Sequence, residues 1–203
     1  MQLFRYNFAI IISSIGNIFT LKKLLFILLY VSALYSQSYF YVGTSLGAYH
    51  ESFENQDDVT LNTSIANVKV GYGKRKAYAI EFSFDYIPNK SKIFSSSGKY
   101  DGDRYGFNLA LIKSFDYDIF VLPFIKAGFG SGYMHIQRSI QDKLSYGSYN
   151  LSGGIFIPLD KSFDIELGYE YRYTSYQTIN TIADRIDYKS HVNFIYTGIN
   201  FRF

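Results

Sequence analysis

From Tyr39 to the C-terminus, large apolar residues alternate with small or polar residues in segments of about 10 residues, which is the period of β-strands and not of helices. Successive side chains of a strand point to opposite sides, so each segment has one apolar and one polar face. The clearest segment has Tyr78, Ile80, Phe82, Phe84 and Tyr86 on one face and Ala79, Glu81, Ser83 and Asp85 on the other. The alternation predicts an all-β fold.

Eight such segments are predicted, and their connections alternate between long and short. The predicted strands are 39–50, 63–73, 77–88, 103–114, 119–134, 146–157, 163–175 and 188–203. The long polar connections are 51–62, 89–102, 135–145 and 176–187, and the short turns are 74–76, 115–118 and 158–161. This order is typical of an eight-stranded antiparallel up-and-down β-barrel, with both termini and the short turns at one end and four long loops at the other. No helical segment is predicted after residue 38.

Alternation alone does not say which face of such a barrel points inward, because a soluble, lipocalin-like barrel with an apolar pocket has the same period. The composition of the polar face favours placing it inside. An eight-stranded barrel is only wide enough to be filled by its own side chains, and opposite charges in that dry space would pair. The predicted interior charge network consists of Lys69, Glu81, Asp85, Lys126, Glu166, Glu170, Arg172 and Arg202.

The rings of the apolar face also favour an outward orientation. Tyr78 and Tyr86 flank the apolar centre of their segment, as members of two interfacial belts would. Eight residues of strand span roughly 27 Å, which after tilting is close to the height of the apolar band of a transmembrane barrel. The sequence therefore predicts a transmembrane barrel over residues 39–203, and a soluble periplasmic ligand-binding barrel is the alternative.

The N-terminal segment 1–38 contains a predicted secretory signal peptide over 21–38. Lys22 and Lys23 precede an apolar run, which ends in small residues, so cleavage after Ala33, Ser36 or Ser38 would fit. The run is shorter than the roughly 20 residues that a membrane-spanning helix needs. Residues 1–20 are an unusual extension, and one hypothesis is that Leu21 is the true initiator. Detection of a leader peptide from upstream of Leu21 by mass spectrometry would disprove it.

Charge and composition exclude several classes of function. The formal net charge is +3, but segment 1–38 contains three cationic and no acidic residues, so its removal brings the net charge to zero. A basic surface for nucleic acid is therefore not predicted. The absence of cysteine excludes disulfides and thiolate metal sites.

The last strand and one central segment resemble those of known barrels. Ile195, Thr197, Ile199, Phe201 and Phe203 alternate up to a terminal phenylalanine, and segment 122–130 is similar to a strand common among small barrels of the OmpA and OmpX type. The resemblance is architectural and covers residues 39–203. It implies the outer membrane of a Gram-negative bacterium, reached by the general secretory route, with outer-membrane lipid and lipopolysaccharide as surroundings. It also implies that Phe201 and Phe203 form a signal read by the barrel-assembly machinery.

The interior charges suggest a narrow pore, and the histidines suggest a metal site, but each has a simpler structural interpretation. The interior charges would line a narrow pore for ions or small solutes, but eight strands leave almost no lumen, so a static salt-bridge plug is favoured. His50, His135 and His191 are expected near the loop-side rim. His50 and His191 lie on strands that should be neighbours, yet two ligands without a third are weak support for a metal site. Solvated rim residues are expected instead.

A lipid A-modifying enzyme is the remaining alternative. Ser190, His191 and Asp184 or Asp187 supply the residue types of a hydrolase. Adjacent strand residues point to opposite faces, however, so Ser190 and His191 are not expected to pair. No catalytic, cofactor or metal site is predicted. The favoured function is structural or surface-binding, in the manner of an adhesin, through four extracellular loops whose tips include Asp57, Asp58 and segment 95–98 and would bind an extracellular ligand.

Overall fold

A computed structural model of the chain describes residues 38–54, 60–95, 98–138, 141–180 and 185–203. The predicted signal peptide, apart from Ser38, and the candidate initiator Leu21 lie outside these residues. So do the loop residues Asp57, Asp58 and Asp184.

Eight long strands form one closed antiparallel barrel. They are β1 (Tyr39–Phe53), β2 (Thr60–Gly73), β3 (Tyr78–Ile87), β4 (Arg104–Ser114), β5 (Leu122–His135), β6 (Lys143–Pro158), β7 (Phe163–Tyr176) and β10 (Lys189–Arg202). Each strand pairs with its neighbour in sequence, and β10 pairs with β7 on one side and with β1 on the other, which closes the barrel. The predicted fold class is confirmed. Two short strands, β8 (Ile179–Asn180) and β9 (Arg185–Ile186), form a hairpin in the last long connection that was not predicted.

The strand ends differ from the prediction mainly on the loop side. β1 continues to Phe53, where it still pairs with Ser190 of β10, whereas the prediction ended it at residue 50. β2 and β6 likewise begin at Thr60 and Lys143, earlier than predicted. The barrel wall therefore rises further above the apolar band, and residues assigned to loops face the barrel interior.

The first residue of β1, Tyr39, the C-terminal Phe203 and three short turns lie at one end of the barrel, called here the turn side. In the turn between β4 and β5, Asp118 adopts the left-handed region with a φ of 57°. The side chain of Asp116 accepts a hydrogen bond from the backbone N–H of Asp118 at 3.3 Å, a local bond that aspartate commonly makes in turns. The long connections lie at the opposite end, the loop side.

The apolar face of the strands is on the outside of the barrel. On β3, Phe82 is 47% exposed whereas Glu81 is 4% exposed. Rings form contacts at both edges of the outer surface: Phe40 and Tyr72 on the turn side, with ring centroids 4.8 Å apart, and Tyr105 and Tyr133 towards the loop side at 5.6 Å. The outward orientation is confirmed, and the alternative of a barrel with an apolar internal pocket is wrong.

Among the described residues, no helix is long and apolar enough to cross a membrane.

The interior is filled by three apolar clusters that alternate with polar side chains. One lies at the turn side around Tyr41 and Phe124, one in the middle around Tyr49 and Tyr196, and one at the loop side around Phe53. Glycines make room for the largest rings, because a Cβ on Gly168 would lie 2.5 Å from the ring of Tyr196. Ring packing of this kind leaves little open lumen.

Candidate functional site

All eight residues of the predicted interior charge network are buried inside the barrel. Four of them form a central cluster, in which two lysines lie between two glutamates. The Nζ of Lys126 lies 2.7 Å from Oε1 of Glu81 and 3.3 Å from Oε1 of Glu166, and Lys69 donates to Glu166. Tyr41 donates to Glu81 at 2.8 Å. The charges of the central cluster therefore neutralise one another across the barrel.

A second cluster lies nearer the loop side. The guanidinium of Arg172 donates to Oδ2 of Asp85 and to Oε1 of Glu170, both at 2.8 Å. The amides of Asn67 and Asn108 also donate to Asp85, at 2.6 and 2.8 Å. Since both carboxylates have several donors, the cost of burying their charge is offset locally.

A third group lies at the turn side, where Arg202 shares a carboxylate with a residue from a turn. Arg202 donates to Oδ2 of Asp164, while Arg75 donates to Oδ1 of the same carboxylate through its Nε at 2.8 Å. Arg202 is on the last strand and Arg75 precedes β3, so Asp164 connects distant parts of the chain. Neither Asp164 nor Arg75 was predicted as part of the network.

On the outer surface of the turn side, Lys76 donates to Asp116 at 2.8 Å. This hydrogen bond holds the pKa of Asp116 below its usual range and raises that of Lys76. The pair is exposed and differs in this respect from the interior pairs.

A fourth group of interior charges, the ion pair of Glu51 with Arg104, was missed from the sequence. Their atoms Oε2 and Nη1 are 2.5 Å apart, and the hydroxyls of Tyr176 and Ser190 donate to the other oxygen of Glu51. The guanidinium of Arg104 lies 5.8 Å from the ring centroid of Phe94. This pair closes the polar interior immediately below the loops.

Strand parity would have found both residues. Gly47, Tyr49 and Glu51 are two residues apart in turn, so Glu51 lies on the inward face of β1. It was assigned to a loop because the predicted strand ended at residue 50. Arg104 shares its face with the inward Asn108 of β4. Glu51 was missed because its predicted strand ended too early, whereas Arg104 lay within the predicted strand 103–114 but was not assigned to the interior network.

A small polar cavity of about 30 Å³ lies between the central and second clusters. Its lining includes Tyr196 and Asn150, whose side-chain oxygens have no hydrogen-bond partner among the described residues. A cavity of this size holds a few waters at most. Side chains of the central cluster and of the second cluster line this cavity.

The connection between β3 and β4 closes the loop-side mouth of the barrel. Phe94 is completely buried, with its ring centroid 4.9 Å from that of Tyr176 and 5.0 Å from that of Tyr188. The buried carboxylate of Asp101 holds this segment, because it accepts hydrogen bonds from the backbone N–H groups of Ile93 and Ser95 at 2.9 and 2.7 Å. The described part of the loop, residues 88–95 and 98–103, therefore forms a folded cap.

The same loop exposes cationic side chains, while the carboxylates of its two acids accept hydrogen bonds from neighbouring residues. Lys90, Lys92 and Lys99 are exposed, and the Nζ of Lys92 lies 4.5 Å from the ring centroid of the exposed Tyr100. The second acid, Asp103, accepts hydrogen bonds from Asn89 and Tyr86. The three lysines together with Tyr100 are called the basic loop surface below.

The histidines lie at the loop-side ends of their strands, as predicted. The Nδ1 of His50 is hydrogen-bonded to Oδ1 of Asn62 at 2.6 Å. His191 is hydrogen-bonded through Nδ1 to the hydroxyl of Tyr171 at 2.6 Å, and its Nε2 lies 3.1 Å from Oε1 of Glu54. Among the described residues, no group of three or more potential ligands is arranged to hold a metal ion.

The suggested catalytic residues do not come together. Ser190 points into the barrel and donates to Glu51, whereas His191 is on the outer face beside Tyr171. Asp187 accepts a hydrogen bond from Thr178 at 2.6 Å. Ser190 and His191 therefore point to opposite sides of the wall, as expected from their adjacency.

The terminal phenylalanines lie on the outer surface of the turn side. Phe203 is 65% exposed, and its ring centroid is 6.0 Å from that of Phe201 and 6.5 Å from that of Phe40. Phe201 in turn contacts Phe163, at 4.9 Å.

No protein-family model and no curated protein matches the chain. Solved structures are similar to it. Neisserial surface protein A has 15% identity and a TM-score of 0.60 over 83% of this chain and 100% of its own. The attachment invasion locus protein Ail of Yersinia pestis, bound to the heparin analogue sucrose octasulfate, has 18% identity and a TM-score of 0.53 over the same shares.

A third similar structure is the outer membrane protein AlkL in lipid bilayers, with 13% identity and a TM-score of 0.51 over 83% of this chain and 92% of AlkL. These likenesses confirm the predicted resemblance in fold to small outer-membrane barrels. Together with the apolar outer surface, they make the chain a membrane-spanning barrel of the outer-membrane type, as predicted.

Proposed function

We propose that the chain is a surface-binding barrel, in which the membrane-spanning wall serves as a rigid platform for the extracellular loops. The observation that carries this proposal is the folded cap between β3 and β4. The carboxylates of Asp101 and Asp103 accept hydrogen bonds from the protein itself, and Lys90, Lys92 and Lys99 are exposed. A cationic surface held in one conformation loses little entropy on binding.

The chemistry of the basic loop surface fits a polyanionic partner, such as a sulfated or phosphorylated glycan. Lys90, Lys92 and Lys99 supply the charges, and Tyr100 supplies a ring on which a sugar can pack. The Ail structure contains a heparin analogue, which supports considering this ligand class for a barrel of the same fold.

The test is binding of the detergent-solubilised, folded barrel to immobilised heparin. Replacing Lys90, Lys92 and Lys99 together by serine should weaken binding about tenfold, because each exposed charge pair contributes up to about 1 kcal/mol. The matched control replaces Lys74, Lys76 and Lys161, exposed lysines of the turn side, and should bind like the wild type. An equal loss of heparin binding in both variants would mean that heparin binding depends only on net charge, and the proposal would be wrong.

The interior charge network is proposed to act as a static plug. The four ion-paired groups and the cap over the mouth support this role over a narrow pore. A lipid A-modifying enzyme is disfavoured because Ser190 and His191 lie on opposite faces of β10.

Phe201 and Phe203 are proposed as the assembly signal read by the barrel-assembly machinery, and segment 21–38 as the cleaved export signal. The exposure of Phe203 on the outer surface of the turn side supports its role as an assembly signal. Deleting Phe203 should lower the amount of folded barrel in cell envelopes, while the yield of folding into detergent micelles should not change. Equal loss in both settings would indicate a purely structural role. N-terminal sequencing of the mature protein would locate the cleavage.

A further inference from the structure

The polar cavity of about 30 Å³ inside the barrel is located where strand register brings small residues together. Ala110 of β4, Gly128 of β5 and Asn150 of β6 are register partners on the inward face, so two small residues lie beside one amide. A Cβ on Gly128 would lie 2.7 Å from Oδ1 of Asn150. The amide therefore occupies room that the glycine leaves, and its oxygen is held at the cavity wall.

Two oxygens at this wall have spare capacity to accept. Asn150 is 8% exposed and lines the cavity, and its Oδ1 has no hydrogen-bond partner among the described residues. Glu170 also lines the cavity, and as the register partner of Ser152 it is a diagonal neighbour of Asn150 on the inward wall. Its Oε1 accepts from Arg172, whereas its Oε2 accepts from the hydroxyl of Ser152, at 2.9 Å.

The formal charges around the cavity do not balance. The central and second clusters together contain four carboxylates and three cations: Glu81, Asp85, Glu166, Glu170, Lys69, Lys126 and Arg172. The neighbouring groups do not supply a fourth cation. The pair of Glu51 with Arg104 is neutral, and both arginines of the third group are directed at Asp164. Hydrogen bonds stabilise the carboxylates, but one negative charge in the dry interior is left without a counterion.

We propose that the cavity binds one monovalent cation of the size of Na⁺ or K⁺. Its ligands would be Oδ1 of Asn150, Oε2 of Glu170 and the hydroxyl oxygen of Tyr196, which also lines the cavity and has no partner among the described residues. Oxygens are the ligands that hard cations prefer. The site is mainly amide and hydroxyl in character, and so differs from the histidine and carboxylate clusters considered for the rim.

The size and charge of the site limit its occupant. The cationic side chains at the cavity do not compete for the free oxygens, because Lys126 donates to Glu81 and Arg172 donates to Asp85 and Glu170. A space of about 30 Å³ admits a small ion with at most a few waters, but not an organic cation such as choline. The bound ion would balance the excess carboxylate and would be part of the interior plug. The site is separate from the basic loop surface and does not depend on the proposed surface-binding function.

The experiment measures urea unfolding of the barrel in phosphatidylcholine vesicles, at one pH and one ionic strength, in NaCl, KCl or choline chloride. The unfolding midpoint should be higher in NaCl or KCl than in choline chloride, because an ion that binds only the folded barrel stabilises it. Above the dissociation constant, a tenfold rise in the concentration of the small cation should raise the folding equilibrium constant about tenfold.

Variants connect this salt effect to the cavity. Asn150→Leu removes the amide oxygen at similar side-chain volume, and Glu170→Gln removes the excess charge, so both should lose the difference between the salts. Asn193→Leu is the matched control, since Asn193 lies on the outward face of β10, where it accepts from Tyr169, and does not line the cavity. It should keep the difference. A heat-modifiable gel band verifies that each variant is folded.

Diffraction tests the location of the ion. Crystals of the barrel refolded in thallium(I) acetate, in which Tl⁺ replaces K⁺, should show an anomalous peak beside Oδ1 of Asn150. The proposal is overturned if the midpoints in the three salts are equal, which would indicate waters in the cavity and a protonated carboxyl as the source of neutrality. It is also overturned if Asn193→Leu loses the salt effect as the cavity variants do, or if the cavity shows no anomalous peak.

Discussion

Single residues inside this barrel are stabilised by partners that the rest of the wall brings to them. Glu51 illustrates the principle, because its carboxylate has three donors, from Arg104, Tyr176 and Ser190, and is fully buried. A buried charge with this many partners is tolerated, whereas the same charge left alone is strongly unfavourable.

Replacing Glu51 by leucine should therefore destabilise the barrel by about 3 to 5 kcal/mol, because Arg104 is left buried without a counterion. The double variant Glu51→Leu with Arg104→Met should recover part of that loss, since no unpaired charge remains. Urea unfolding of the barrel in lipid vesicles measures both. The exposed pair Lys76 with Asp116 is the control, and its removal should change the unfolding midpoint little. Equal destabilisation by the single and double variants would contradict a specific charge effect.

Each strand acts as a partition between two environments. On β3 the outward Ile80, Phe82 and Phe84 meet lipid, and the inward Glu81 and Asp85 meet cations of other strands. A substitution therefore has different consequences at neighbouring positions of the same strand.

Phe82→Arg should destabilise the barrel by about 2 to 4 kcal/mol, because a charge near the centre of the apolar band loses its hydration. Ser64→Arg is the control: Ser64 is also outward and exposed, but lies towards the loop end of β2, and its replacement should have a much smaller effect. Reversible unfolding in phosphatidylcholine vesicles is the measurement. Comparable effects at both positions would mean that Phe82 does not face the membrane centre.

The molecule as a whole is a closed wall around a filled interior. Closure through β1 and β10 removes free strand edges, so the barrel described here has no unpaired edge within the membrane. The interior ion pairs, the apolar clusters and the cap at Phe94 then occupy the axis from one end to the other.

In planar bilayers the barrel should show no conductance steps above the lipid background, because ion-paired side chains and buried rings fill the described part of the interior. A porin of larger diameter in the same bilayer serves as the positive control. Reproducible steps from the purified barrel would show that the plug opens and would replace the static interpretation by a gated pore.

Much of the architecture follows from local pattern. The two-residue period predicts which side of each strand is buried, and Phe82 and Glu81 lie on the predicted sides. The polar composition of 89–102 predicts a connection there, but not that Phe94 turns inward to close the barrel. Glu51 was not predicted as an interior residue, because a glutamate at the end of a strand is assigned to a loop when its ion-pair partner is not known.

Fold class, strand order and the inward direction of the charges were accessible from the amino-acid sequence, because they depend on side-chain alternation and on the lengths of the connections. The pairing of charges was not, since Lys69 and Glu166 are 97 residues apart and meet only through barrel closure and strand stagger. The row of small residues on the outer face has the same origin: Ser131, Gly147 and Ser175 are far apart along the chain, and only the register of three strands places them side by side.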